Sequence, residues 1–387
     1  MNEFTVEEAK HTKGAKIKII GCGGGGGNTI NHMIKEGLSE LDLIVTNTDA
    51  KALNNSLAKT KIQLGEKTTR GLGAGGNPQM GAESAKENYE ELKAALEQSD
   101  IVFIASGLGG GTGTGATPIV AQAAKEVGAL TVSVVTMPFN FEGKTRKKIA
   151  EAGLSELKKE SDSILVIQNE KLISLMDKSA SATDAYKLVD DILGRAVKGM
   201  VSILLENSQI NVDFADIKAI MSHRGLALMG MGEAKGANAA MQALENALES
   251  PLLEDLDIKN AKGVIVHFKH HPNFPFLQIT EVGNYIQDML TDDVAFKYGE
   301  SNNEEMDGDK IEITIIATGF DYQNESKNNQ KGVVDNGIAT RLLQKTGTDD
   351  EEELIKVLET ATVGRRQKDK EKLIDIDAPA IWRNQMD

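Results

Sequence analysis

Between Ile101 and Gly115 the chain reads IVFIASGLGGGTGTG, an apolar run that empties into Gly107, Gly109, Gly110, Gly111, Thr112, Gly113, Thr114 and Gly115. Glycine and threonine at this density disfavour both helix and strand interiors. What they offer is bare N–H groups and small hydroxyls, and where such a segment opens onto a helix it suits phosphate. The plain alternative is a flexible surface loop. The flanks oppose it: Ile101–Ser106 has the pattern of a buried strand, and Ala116–Val127 that of the helix that follows.

Two further glycine-rich segments share this character. Gly21-Cys22-Gly23-Gly24-Gly25-Gly26-Gly27-Asn28 follows the apolar run 16–20, and Gly71-Leu72-Gly73-Ala74-Gly75-Gly76-Asn77-Pro78 follows Arg70. The first satisfies G-x-G-x-x-G, and Asp49 stands near where the ribose-binding acid of a dinucleotide fold would be. NAD is therefore a rival ligand. Five consecutive glycines exceed what a dinucleotide turn needs, however, and three loops suit a nucleotide polyphosphate better than one pyrophosphate bridge. A Walker loop fails on spacing, because Gly143-Lys144-Thr145 is preceded by Pro138 where the first glycine belongs. Phosphate must then be held by backbone amides and hydroxyls.

Asn211-Val212-Asp213-Phe214-Ala215-Asp216 is the acidic constellation. If a helix starts here, Asp213 and Asp216 stand three residues apart on one face. Taken alone, the pair reads as helix capping and dipole complementarity. His270-His271 lacks Cys or acidic ligand spacing, so no metal site is expected there.

These segments need a scaffold. Strands are expected at 16–20, 42–46, 101–106, 130–137 and 164–168, separated by helix-length stretches, which predicts a largely parallel α/β sheet with helices on both faces. Ligands of such sheets sit at the carboxyl ends of the strands, where each first-half glycine-rich motif falls. One long helix is expected from Thr183 to Asn207, with Leu188, Val189, Ile192, Leu193, Ala196, Val197, Met200, Val201 and Leu204 at three- and four-residue spacing. In the second unit, runs at 263–269, 277–282, 294–298 and 310–318 predict a mixed or antiparallel sheet.

The chain of 387 residues has room for two domains with real cores. Its single cysteine, Cys22, excludes an internal disulfide and fits a reducing cytoplasm. A net charge of -15 argues against nucleic acid as a partner. No apolar run approaches the roughly 18 residues needed to span a bilayer, and residues 1–16 lack the apolar stretch of a secretory signal. From Asp321 to about Lys370 the composition turns polar, a linker spanning roughly 40 Å on average. It ends in LIDIDAPAIWRNQMD, an apolar island with the only tryptophan, Trp382.

GGGTGTG at 109–115 looks like the tubulin signature loop. With IGCGGGGGN at 20–28, NTDA at 47–50, GLGAGGNP at 71–78, PFNFEGK at 138–144 and NVDFADI at 211–217, the chain resembles the FtsZ family, the tubulin-like GTPases of bacterial cell division. The resemblance implies a tubulin-like α/β fold: a flexible segment 1–15, a Rossmann-like GTP-binding domain 16–182, a central helix 183–210, an α+β domain 211–320 with a mixed sheet, a disordered linker 321–370 and a partner-binding peptide 371–387. It implies GTP and GDP as ligands, with Mg²⁺ and no assigned direct metal ligand.

Residue by residue, Gly24, Gly25, Gly26, Gly27 and Asn28 match the first nucleotide loop. Gly111, Thr112 and Gly113 match the signature contacts, and Ala74 and Gly75 the loop that senses the γ-phosphate. Asn47 and Asp49 match the loop beside the ribose and the metal-bound phosphates. Glu142 and Arg146 match sugar-side contacts, Asn169 and Asp190 the guanine contacts, and Tyr186 the aromatic stacked on the base. A carboxylate suits guanine, whose N–H groups donate to it, whereas adenine presents a lone pair at that edge. The resemblance also implies that Asp213, Asp216 and Asn211 enter the nucleotide site of the next subunit and polarise the attacking water there. The expected partners are further copies of the chain, stacked head-to-tail, and membrane-tethering adaptors and assembly regulators that bind the C-terminal peptide. The expected place is the cytoplasm at the midcell division site, without direct membrane insertion. Cys22 departs from the small aliphatic residue usual in the family and would make the loop thiol-sensitive. The tail, DIDAPAIWR, departs from the common DIPxFLR.

Overall fold

Runs rich in Ile and Val in the first half become strands buried on both faces, as parallel strands covered by helices must be. The computed structural model describes residues 15–320 apart from 178, 206–207, 211–212, 251–252 and 254–257. In chain order it begins β1 (Ile17–Cys22), α1 (Gly23–Lys35), β2 (Asp42–Asn47), α2 (Ala50–Asn54), β3 (Thr60–Gln63), α3 (Pro78–Glu87), α4 (Tyr89–Leu96), β4 (Ile101–Gly107), α5 (Thr112–Glu126), β5 (Leu130–Met137), α6 (Lys144–Glu160) and β6 (Ser163–Gln168). It continues α7 (Asn169–Leu172), α8 (Ala182–Leu205), β7 (Ser208–Ile210), α9 (Phe214–Met221), β8 (Gly225–Lys235), α10 (Ala239–Leu248), β9 (Gly263–His270), α11 (Phe276–Met289), β10 (Ala295–Asn302) and β11 (Lys310–Phe320).

One mixed sheet runs through these strands in the order β3-β2-β1-β4-β5-β6-β8-β11-β9-β10-β7. From β3 to β8 every neighbour is parallel, so the carboxyl ends of β1, β2, β4, β5 and β6 share one edge. β11 runs antiparallel to both β8 and β9, and β7 antiparallel to β10.

The long helix α8 buries Val189, Leu193, Ala196, Val197, Met200 and Val201 in one core with Ile19, Phe103 and Val134 of the first half and Ile217, Ile265 and Ile316 of the second. At 24 residues it extends ~36 Å. Near its start, Tyr186 meets Phe139, just beyond the carboxyl end of β5. Near its end, Met200, Ile203 and Leu204 gather with Ile101, the first residue of β4, and with Ile217 and Met221 of α9. The helix therefore runs from the carboxyl edge of the parallel strands to their amino edge.

Four expectations need correction. The central helix expected over 183–210 does not extend that far, because Ser208–Ile210 form the strand β7 against β10. Residues 277–282 are not a strand but part of α11, where Ile279, Val282 and Ile286 recur at helical spacing and are buried. The glycines at 23–27 are not a loop but the first turns of α1, and α5 begins at Thr112, so Thr112–Gly115 are helical too. The signature segment is also no flexible surface loop, since Gly113, Thr114 and Gly115 are buried. Strand β3 has a single buried side chain and so carries too little apolar alternation to be seen in the sequence, whereas β8 is apolar from Leu226 to Met231 but is interrupted by Gly230 and Gly232. Residues 321–387, with the expected linker and terminal peptide, lie outside the described residues.

Candidate nucleotide site

Glycine in a helix interior costs about 1 kcal/mol relative to alanine, and close packing explains why α1 and α5 tolerate it. A Cβ on Gly26 would stand 2.2 Å from the Ala105 carbonyl oxygen, and one on Gly23 2.8 Å from the Gly113 nitrogen. A Cβ on Gly111 would stand 2.8 Å from Ala74 Cβ and 2.9 Å from the Asn77 nitrogen. The three glycine-rich segments thus meet one another at the carboxyl edge of the sheet. Gly24, Gly75 and Gly110 differ: a side chain there would meet nothing within 4 Å. These three bare positions face open space, as a cradle for a ligand would.

Direct bonds join the loops. Thr48 and Thr112 hydroxyls lie 2.6 Å apart, and the Gly73 N–H donates to the Thr48 carbonyl at 3.2 Å. The Gly109 N–H donates to Thr114 Oγ1 at 2.8 Å. Asn47, almost fully buried, accepts from the Asp49 N–H. Asp49 caps α2 by accepting from the Lys51 and Ala52 N–H groups. The orientation of Asp49 is thus set by its own helix.

A second group flanks these loops. Arg146 pairs with Glu142 at 2.9 Å and lies against Gly109; the other Glu142 oxygen accepts from the Phe139 N–H. Phe139 meets Tyr186 edge-on, with ring centroids 5.7 Å apart. Asn169, at the carboxyl end of β6, is buried, and its Oδ1 has no hydrogen-bond partner. A buried amide oxygen left unpaired is costly, and a ligand N–H or O–H would satisfy it. Asp190 is half-buried beside Asn28, in a cleft also lined by Asn31, His32 and Lys187. Burial pushes its carboxyl up to about 6, opposed by a hydrogen bond from Asn28 and the charge of His32. His32 in turn meets Asp191 at 3.1 Å, tying α1 to α8.

Among the described residues no group of three or more His, Cys, Asp or Glu side chains could hold a metal ion. A Mg²⁺ held mainly by phosphate oxygens and water would need only a carboxylate or two, and Asp49 is an acid beside the glycine loops. Cys22 is buried, which pushes its thiol up despite hydrogen bonding with Thr117 and Thr46. That is the setting of an inert thiol.

Asp213 and Asp216 are elsewhere. Asp213 caps α9, accepting from the Asp216 N–H at 2.7 Å. Asp216 pairs with Lys297 at 2.8 Å. Asn211 lies outside the described residues. Because Ile217 and Met221 of α9 pack near Ile101, this acidic pair stands at the amino edge of the parallel strands. The glycine loops lie beyond the other end of β4, ~20 Å away along a seven-residue strand. The sequence reading passed over Thr48, His32 and Lys297; Thr48 sits between two named residues, but nothing local marks the other two.

The sequence model of the Tubulin/FtsZ family, GTPase domain, matches residues 16–177, and that of the FtsZ family, C-terminal domain, matches residues 225–321. The chain is 47% identical over 343 residues to the cell division protein FtsZ of Helicobacter pylori strain J99, covering 88% of each chain. It is 41% identical over 371 residues to the cell division protein FtsZ of Pseudomonas aeruginosa, covering 96% of this chain and 89% of that one. Its fold is similar to that of an empty FtsZ dimer from M. jannaschii, with TM-score 0.75 and 43% identity, covering 80% of this chain and 89% of that one.

Proposed function

The chain belongs to the tubulin/FtsZ family and is a GTP-dependent, filament-forming cell-division GTPase, and from that premise we propose that hydrolysis is completed between subunits. The glycine loops of one copy hold GTP, and Asp213 and Asp216 of the next complete the site. The observation that carries this reading is the placement of the acidic pair and the loops at opposite edges of the parallel strands. No chain brings its own carboxylates to its own phosphates across that span. A head-to-tail neighbour does, and such a heterologous contact does not close, so it propagates a filament. Exposed Leu72 and Phe141 beside the loops are suited to being covered by that neighbour.

In this reading the N–H groups around Gly24–Gly27 and Gly110–Gly113 cradle the phosphates, and Ala74 and Gly75 border the γ-phosphate. Asp190 accepts from the guanine N–H groups, Asn169 Oδ1 accepts from the nucleoside, and Tyr186 covers the base. Glu142 and Arg146 border the sugar. Asp49 would supply a carboxylate toward a phosphate-bound Mg²⁺, which offsets charge on the β- and γ-phosphates. Asp213 and Asp216, with Asn211, orient the water that attacks the γ-phosphorus as its bond to the bridging oxygen breaks. Such chemistry depends on positioning. The terminal peptide 371–387 would dock on membrane-bound adaptors, with the protein acting in the cytoplasm at the division site.

The test is sedimentation with GTP, GDP or NAD while phosphate release is followed. GTP alone should give pelleting and phosphate, and Asp213→Ala should bind GTP, pellet and release almost none. Weak GTP binding by that variant would show that Asp213 acts within its own subunit.

A further inference from the structure

One strand holds the acidic segment at both ends. Upstream, the backbone of Ile210 pairs with Glu300 of β10. Downstream, Asp216 accepts from Lys297 Nζ, also of β10, at 2.8 Å. Glu300 is itself anchored: its carboxylate meets buried His270 Nε2 at 3.0 Å. Within the segment the two carboxylates are treated differently. Asp213 is satisfied by a backbone N–H, whereas Asp216 has a side-chain cation.

We propose that Lys297 is a positioning residue for GTP hydrolysis, holding the Asp216 carboxylate in one orientation and offsetting the charge of the acidic pair as it enters the neighbour's polyphosphate site. The inference rests on the reading that Asp213 and Asp216 act in the adjacent subunit. Two carboxylates brought against a triphosphate repel it, and a cation fixed beside them reduces that repulsion without touching the nucleotide. The hydrogen bond and charge of Asp216, with the more distant charge of Asp213, also hold the Lys297 ammonium above its ordinary range, so the cation persists.

In the free subunit both partners are partly exposed, and an exposed pair contributes little to stability. In the assembled contact water is excluded and the same pair strengthens. Its effect therefore belongs to turnover in the filament and not to the fold of the monomer.

The experiment compares full-length wild type, Lys297→Ala, Lys297→Arg and Asp213→Ala for fluorescent-GTP binding, thermal unfolding, GTP-dependent pelleting and phosphate release per pelleted subunit. Lys297→Ala should bind GTP and unfold as wild type while phosphate release per pelleted subunit falls roughly fivefold, with KM unchanged. Lys297→Arg should restore most of the turnover, since it keeps a donor and a charge. Unchanged or raised turnover in Lys297→Ala overturns the proposal, as does an equal loss in Lys297→Arg. Normal turnover in Asp213→Ala would instead overturn the reading beneath it, so the two failures are told apart.

Discussion

The hydroxyls of Thr48 and Thr112 meet at 2.6 Å, one from the loop after β2 and the other from the first turn of α5. The bond makes the Asn47–Asp49 loop and the signature segment one body. Thr112→Val keeps the shape and leaves the Thr48 hydroxyl without its partner. The expected outcome is GTP affinity weakened about tenfold, read by fluorescent-GTP titration, with little change in unfolding temperature.

Gly24 and Gly26 separate ligand space from packing space. Gly24→Ala meets no protein atom within 4 Å, so it should fold normally yet bind GTP poorly. Gly26→Ala would drive a Cβ to 2.2 Å from the Ala105 carbonyl oxygen and should lower stability by about 1–3 kcal/mol or more. Thermal unfolding beside GTP titration distinguishes them. Equal behaviour of the two variants would refute the cradle at Gly24.

Asp190 predicts a pH dependence with two opposite signs. Burial raises its carboxyl from 3.8 to about 6, so between those values the folded chain binds more protons than the unfolded one. Its contribution to stability therefore falls as pH rises from about 4 to 6. In the proposed role of Asp190 as acceptor for guanine N–H groups the ionised form is the one that binds, so GTP affinity should rise as pH passes 6. Asp190→Asn should unfold at higher temperature than wild type at neutral pH and lose about 10- to 100-fold in GTP affinity. Unfolding scans and titrations from pH 5 to 8 check both.

His270 and Glu300 form a buried pair at the base of the acidic segment. His270→Ala leaves the Glu300 carboxylate without its partner and should cost about 3–5 kcal/mol, measured by denaturant unfolding. Because the pair lies on β9 and β10, far from the glycine loops in the sheet order, chain that remains folded should still bind GTP.

The sequence by itself determined the chemistry at the phosphate edge. Glycine runs after apolar strands specify a close backbone approach, and the three- and four-residue period of Val189, Leu193, Val197 and Met200 specifies a helix with a buried face. These are local properties, written in propensity and period. What glycine does not reveal is why a side chain is absent. Gly26 is bare because the Ala105 carbonyl packs against it, and Gly24 because nothing of the protein does; only the tertiary structure tells them apart. The run at 277–282 was misread because six apolar-rich residues do not distinguish strand from helix until Ile286 falls in the same buried row. The meeting of Lys297 with Asp216 depends on strand order and register across a long crossover, which no local pattern encodes. The same register sends the acidic pair to the edge opposite the loops, a separation that only the order of strands across the sheet decides.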